Sequence, residues 1–165
     1  MTTRFVLCLA TIVILAAAGP ATRSAKERVV IAGETFRLDP AVNAKARQRG
    51  LGGREKIADH GGMLFVFPDA RRRSFYMKDC VFDIDIMFLD DRGRITAVHK
   101  MKTEPPRRAD ESVRAYERRL KLYPSRLPVR FAIELVTGSI ERLKLKPGVT
   151  IPLDLPRLKK MARSP

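Results

Sequence analysis

The run Met63-Leu64-Phe65-Val66-Phe67 lies between Gly61-Gly62 and Pro68 and contains no polar residue. Five consecutive apolar residues between chain breakers are typical of a strand that is buried on both faces. Such a strand needs neighbours on each side, so the run predicts a position at the centre of a sheet rather than at its edge.

Shorter segments of strand-forming residues lie on both sides of this run. Their pattern predicts strands at Val29–Ile31, Thr35–Leu38, Ser74–Lys78, Ile84–Leu89, Arg94–His99, Val129–Val136 and Val149–Leu153. Helices are predicted from Pro40 to Arg49 and from Asp110 to Leu122, with a helical turn at Ser139–Leu143. Many short strands with two or three short helices predict a mainly β (α+β) fold, an antiparallel barrel or sandwich.

The N-terminus carries the pattern of a secretory signal. Arg4 precedes the uncharged run Phe5–Ala18, which is short for a membrane span and ends in small residues that suit a signal peptidase. We therefore expect residues 1–21 to be a secretory signal peptide, cleaved near Gly19 or Thr22. The protein would then be exported to the periplasm or the extracellular space; an uncleaved N-terminal anchor is the alternative.

The rest of the chain is long enough for one domain. We expect a single β-rich domain at residues 26–155 and a basic, mobile tail at residues 156–165. The two cysteines are Cys8 and Cys80. Removal of the signal peptide leaves Cys80 alone, which excludes an internal disulfide, so this thiol is either buried or bridges two chains.

The net charge of +15 is high for a chain of 165 residues, and the basic residues include short clusters such as Arg71-Arg72-Arg73 and Lys159-Lys160. Such charge favours contact with a phosphate, an anionic envelope polymer or an anionic membrane surface. The alternative is a free use of arginine on solvated faces. No nucleic-acid-binding motif accompanies the charge, so nucleic acid is not an expected partner.

Patterns for catalysis and cofactor binding are missing from the sequence. His60 and His99 are not at ligand spacing, and the acidic residues near Asp85 lack the pattern of a calcium loop. Cys80 has no evident partner base, and Gly50-Leu51-Gly52-Gly53 lacks the phosphate-loop pattern. We therefore predict no metal site and no cofactor, and we assign no catalytic residue.

Lys78 and Asp85 are candidates for a polar site. If residues 79–84 form a hairpin, the register that places Phe75 opposite Phe88 also places Lys78 opposite Asp85. The ion pair would lie beside Tyr76, where it either fixes the strand register or marks a polar pocket.

Arg49 and Arg54 are further candidates for a binding site, because they flank the Gly-rich turn. Their guanidinium groups either bind a carboxylate or phosphate or clamp the loop through backbone carbonyls.

Several of these segments resemble one known family. Its signature comprises Arg49-Gly50-Leu51 with Arg54, the segment Gly62–Phe67, Phe75-Tyr76-Met77-Lys78, Ile84–Phe88, Gly93 with Ile95, and Ile133-Glu134-Leu135 with Gly138. In this order and spacing the motifs are similar to those of DUF192, an uncharacterised prokaryotic family, over about residues 29–153. The resemblance implies a mainly β, barrel-like or sandwich fold and brings no established activity.

The chain departs from the family in one turn and one insertion. Members typically have Trp at the position of Tyr76, Asn at Asp79, Thr at Cys80 and Pro at Asp83. These differences put any site built at that turn in doubt. The segment Arg107–Leu127 is also longer than in the shortest members.

These observations lead to three hypotheses for function. The first is an exported, non-enzymatic module that binds a small polar or anionic ligand, or an anionic polymer of the cell envelope, through Arg49, Arg54, Tyr76, Lys78 and Asp85. The second is a hydrolase or lyase that uses a Lys78–Asp85 pair. The third is a structural, envelope-associated basic protein. An open cleft beside Lys78 would favour the first two hypotheses, and a fully packed pair would favour the third.

Overall fold

Six strands form one mixed sheet in the computed structural model, which describes residues 25–162. The predicted signal peptide and Cys8 lie outside the described residues. The strands of this sheet are β1 (Glu27–Ile31), β2 (Glu34–Ala41), β3 (Met63–Arg71), β5 (Ile84–Leu89), β6 (Ile95–Met101) and β8 (Val129–Val136). The two short strands β4 (Ser74–Phe75) and β7 (Tyr123–Pro124) pair separately. The predicted mainly β fold is confirmed.

The order of the large sheet is β1-β2-β3-β8-β5-β6, so its two outer strands leave it open and sandwich-like rather than closed into a barrel. All of its pairs are antiparallel except β2 with β3. That parallel pair corrects the expectation of an antiparallel sheet. It arises because helix α1 (Ala44–Arg49) lies in the connection between the two strands, which returns the chain in the same direction.

The predicted central strand is confirmed. Residues 63–67 of β3 are all buried, and β3 lies between β2 and β8. Gly62, just before it, approaches β8 so closely that a Cβ atom there would lie 2.2 Å from the backbone oxygen of Glu134. Only glycine fits this approach without a shift of the backbone.

Both faces of the sheet are covered by apolar side chains. One face packs Leu64, Met87 and Ile133 against the β1–β2 hairpin and the C-terminal segments. The other face packs Phe65, Ile86 and Phe88 against Leu51, Met77 and Tyr123 from the loops. Every second residue of a strand points to the same face, so alternate residues of β5 pack into the apolar clusters on opposite sides of the sheet.

Four helices lie among residues 25–162: α1, α2 (Val113–Arg119), α3 (Ser139–Arg142) and α4 (Leu155–Met161). The predicted helix from Pro40 begins later, at Ala44, because Pro40 belongs to β2 and Asn43 caps the helix. The predicted helix from Asp110 begins at Val113, after the cap Ser112.

The C-terminal expectations need two corrections. The predicted mobile tail is wrong for residues 156–162, because α4 packs Leu158 into the core with 1% exposure. An ion pair between Arg157 and Glu27 also ties α4 to β1. The predicted last strand, Val149–Leu153, forms only a single bridge between Thr150 and Arg94.

Candidate functional site

A cavity of about 390 Å³ opens beside the C-terminal end of α1. Its wall is formed by the turn Gly50–Gly52, by the segment between β3 and β4, and by the residues that follow β4. Cavities of about 300–1,000 Å³ are the size at which proteins bind small molecules. The cavity is therefore the candidate functional site.

The Gly-rich turn places Arg49 at this cavity. Gly50 ends α1 with a positive φ of 55°, a conformation that favours glycine. Gly52 then passes close to the next segment, since a Cβ atom there would lie 3.1 Å from the Arg49 oxygen and 3.3 Å from the Lys78 oxygen. The close approach holds α1 against the residues after β4, so that both segments contribute side chains to one cavity.

Glu134 is the one acidic residue in the lining. It lies on β8 between Met63 of β3 and Ile86 of β5, and it is 5% exposed. Its Oε2 atom is buried and has no hydrogen-bond partner among the described residues. Burial raises the pKa of Glu134 to about 8, against the opposing charge of Arg54, so the carboxyl group is mostly neutral at pH 7.

Two arginines of the lining, Arg49 and Arg72, are exposed. Within residues 25–162, the side chains of Arg49 and Arg72 make no hydrogen bond or ion pair. Arg47 and Arg73, in contrast, are held by the protein. Arg47 donates to the Val42 oxygen at 2.6 Å, and Arg73 lies over the Phe67 ring at 3.7 Å and pairs with Asp69. Arg49 and Arg72 are therefore the guanidinium groups that an anion could recruit without breaking a contact.

Lys78, Tyr76 and Cys80 complete the part of the lining that follows β4. Lys78 Nζ lies 2.5 Å from Glu117 Oε1 of α2, and this hydrogen bond raises the pKa of Lys78. Tyr76 is 41% exposed. Cys80 is half-buried, and burial raises the pKa of its thiol to about 11, which keeps it protonated and unreactive at neutral pH.

The predicted pairing of Lys78 with Asp85 is wrong. Both edges of β5 are occupied, by β6 and by β8, so β4 cannot form the expected hairpin with it. Asp85 instead lies opposite Lys100 and Leu135, and its Oδ2 accepts a hydrogen bond of 2.8 Å from the Ile140 backbone N–H. Phe75 and Phe88 do meet, with ring centroids 5.3 Å apart, but as packed side chains rather than as strand partners.

Arg54 is also absent from the lining, because it pairs with Asp39 of β2 at 2.7 Å. Three of the five sequence-predicted residues, Arg49, Tyr76 and Lys78, thus line the cavity. Glu134 was not among the predicted site residues. The signal that could have identified it is a single carboxyl group inside the otherwise apolar segment Phe131–Val136.

No group of three or more His, Cys, Asp or Glu side chains within residues 25–162 is arranged to hold a metal ion. None of the helices in that part of the chain has the length and apolarity needed to cross a membrane.

Comparison with known proteins identifies the family. Residues 27–153 match DUF192, described as an uncharacterized ACR. The chain belongs to the DUF192 family. The family match spans the sheet and the whole cavity lining, so the candidate site lies within the DUF192 domain.

Two solved structures share this fold. One is a protein of Sinorhizobium meliloti 1021 named as a candidate transcription regulator, with 27% identity, a TM-score of 0.60, and coverage of 76% of this chain and 89% of that chain. The other is a protein of unknown function from Novosphingobium aromaticivorans DSM 12444, with 24% identity, a TM-score of 0.62, and coverage of 76% and 84%. No curated protein matches the chain.

Proposed function

We propose that this DUF192 protein is a non-enzymatic module that binds a small anionic ligand in the cavity beside α1. The observation that carries the proposal is the cavity itself. It combines Arg49 and Arg72 with the buried carboxyl group of Glu134, and none of these three side chains has a hydrogen-bond or ion-pair partner within residues 25–162. Guanidinium groups bind carboxylates and phosphates through paired hydrogen bonds, so a carboxylate or phosphate is the ligand class that suits them.

The geometry favours this proposal over the other two hypotheses. An open cavity beside Lys78 is what a binding protein requires and what a purely structural basic protein would lack. The hydrolase or lyase hypothesis rested on a Lys78–Asp85 pair, and those two side chains bond to Glu117 and to the Ile140 backbone instead.

A regulatory role through DNA is not part of the proposal. The S. meliloti protein is named as a candidate transcription regulator, and that name concerns that protein alone. In residues 25–162 of this chain the longest helices, α2 and α4, have seven residues each, which is short for a recognition helix in a major groove.

Native mass spectrometry of the protein purified from its own cells tests the proposal. We expect a retained small anion, which is lost when Arg49→Gln and Arg72→Gln are combined. Arg92→Gln is the matched control, because Arg92 is exposed on the β5–β6 turn, outside the cavity lining. Retention of the same ligand by the double variant, or no bound anion in the natural protein, would refute the proposal.

We further propose that the protein works outside the cytoplasm, on the basis of the predicted signal peptide at residues 1–21. A mature N-terminus near Gly19 or Thr22 is expected when the protein is isolated from its own cells and sequenced. Recovery of an intact Met1 in the membrane fraction would contradict export and indicate an uncleaved anchor.

A further inference from the structure

The cavity presents two chemically different groups to a ligand. Glu134, at 5% exposure, offers a carboxyl group from the sheet, whereas Arg49 and Arg72 are exposed. No ion pair joins Glu134 to any basic residue in the described part of the chain. A ligand that meets both kinds of group must therefore have two distinct polar ends.

The charge of the lining limits what the inner end can be. Glu134 is the only carboxyl group in the lining, and five of its side chains are basic. Arg73 and Lys78 are neutralised by ion pairs with Asp69 and Glu117, whereas Arg47, Arg49 and Arg72 form no ion pair within residues 25–162. A cationic ligand group would have to enter against the positive charge of these three unpaired arginines, and like charges repel one another. An ammonium at Glu134 is therefore disfavoured.

The neutral form of the Glu134 carboxyl group has one O–H donor to offer. Its strand neighbours, Met63 and Ile86, are apolar and provide no acceptor side chain. A buried donor without a partner costs free energy, which a ligand oxygen would recover by accepting the hydrogen bond.

We infer that the ligand carries a carboxylate or phosphate for Arg49 and Arg72 at one end and a neutral hydrogen-bond-accepting oxygen, such as a carbonyl, at the other, where Glu134 donates to it as the neutral acid. The inference rests on the proposed function and specifies the ligand class. It excludes zwitterions whose ammonium group would neutralise Glu134.

The same arrangement makes ligand binding depend on pH. Burial raises the pKa of Glu134 to about 8, so the donor is lost above that pH and a second negative charge faces the anionic ligand. The other ionisable side chains of the lining are the Cys80 thiol, whose pKa burial raises to about 11, the Tyr76 phenol, and the basic residues Arg47, Arg49, Arg72, Arg73 and Lys78. Arg54 lies outside the lining and is paired with Asp39.

Two matched probes test the inference by isothermal titration calorimetry. The probes para-acetylbenzoate and para-(aminomethyl)benzoate share one ring and one carboxylate and differ in the far group, a carbonyl acceptor against an ammonium. We expect para-acetylbenzoate to bind more tightly at about pH 6.5, and its affinity to fall at least about tenfold by about pH 9.5, as the neutral fraction of Glu134 declines.

Variants at Glu134 show whether its hydrogen-bond donor, rather than the shape of the site, determines the affinity. Glu134→Gln keeps a donor that does not titrate, so it should bind para-acetylbenzoate without the fall in affinity at high pH. Glu134→Leu removes the donor and should weaken binding about tenfold at low pH. Glu55→Gln is the control and should behave as the natural protein, because Glu55 is exposed and its side chain makes no hydrogen bond or ion pair within residues 25–162.

The double variant Arg49→Gln, Arg72→Gln shows whether the probe occupies this cavity, because both arginines lie in its lining. It should lose binding of para-acetylbenzoate at about pH 6.5, whereas the control Arg92→Gln, outside the lining, should bind it as the natural protein does. Undiminished binding by the double variant would place the probe elsewhere and overturn the inference. Three other results would each overturn the inference: tighter binding of para-(aminomethyl)benzoate, an affinity for para-acetylbenzoate that does not change with pH, and no binding of either benzoate. The proposed function would still stand if the cell-derived protein retained an anion that requires Arg49 and Arg72, so the two failures are distinguishable.

Discussion

The buried carboxyl group of Glu134 should make the stability of the protein fall as pH rises through the neutral range. Burial raises its pKa from the ordinary value of 4.5 to about 8. Between these pH values the unfolded chain is ionised at this position while the folded protein retains the proton, so the stabilising difference is complete below about pH 4.5 and lost by about pH 8. At about 1.4 kcal/mol per pH unit, the loss amounts to about 5 kcal/mol.

The variant Glu134→Gln removes this titration and should remove the slope with it. Urea unfolding of the variant and the natural protein, followed by circular dichroism from about pH 5 to pH 9, gives the difference in their free energies of unfolding. We expect that difference to shift in favour of the variant by about 1.4 kcal/mol per pH unit up to about pH 8 and then to level off.

Other titrating groups are common to both proteins and cancel in this difference. Glu55→Gln serves as the control, because it makes the same change at an exposed position outside the cavity. A difference between Glu134→Gln and the natural protein that stays constant within about 1 kcal/mol across the range would refute the reasoning. It would mean that Glu134 is ionised in the folded protein or has a partner there.

Two further predictions concern the fold around the site. Phe65→Ala should lower the free energy of unfolding in urea by about 3–5 kcal/mol, because Phe65 is 1% exposed in the central strand. The control Val30→Ala, at 44% exposure, should lower it far less. A loss below about 1 kcal/mol for Phe65→Ala would contradict the central position of this residue. Double-mutant cycles should give a coupling free energy of about 0.2–1 kcal/mol between the partly exposed side chains of Lys78 and Glu117, and none between Lys78 and Asp85. The reverse result would support the hairpin between β4 and β5 that was expected from the sequence.

The central strand and the mainly β fold could be predicted from the sequence because their signals are local. Five apolar residues between breakers specify a strand buried on both faces whatever its neighbours are. The parallel pairing of β2 with β3 could not be predicted in this way. The sequence predicts the helix between the two strands, but no local pattern indicates that the strands on either side of it pair with each other.

The candidate site was predicted in part for the same reason. Arg49, Tyr76 and Lys78 lie in short motifs next to turns, where polar residues stand out, and all three line the cavity. The pairing of Lys78 with Asp85 failed because the apolar alternation of Phe75 and Phe88 fits both a hairpin and the packing of two separate strands. Glu134 was missed because its environment is created by β3 and β5, which are distant from it in the sequence.

A crystal structure of the protein purified from its own cells, without added ligand, would show whether the cavity beside α1 holds a small anion. We expect electron density for a small molecule in the cavity, with a carboxylate or phosphate within hydrogen-bonding distance of Arg49 or Arg72. An oxygen of the same molecule should lie within hydrogen-bonding distance of Glu134. A cavity that contains only ordered water, with the Arg49 and Arg72 side chains paired to carboxylates of the protein itself, would contradict this expectation.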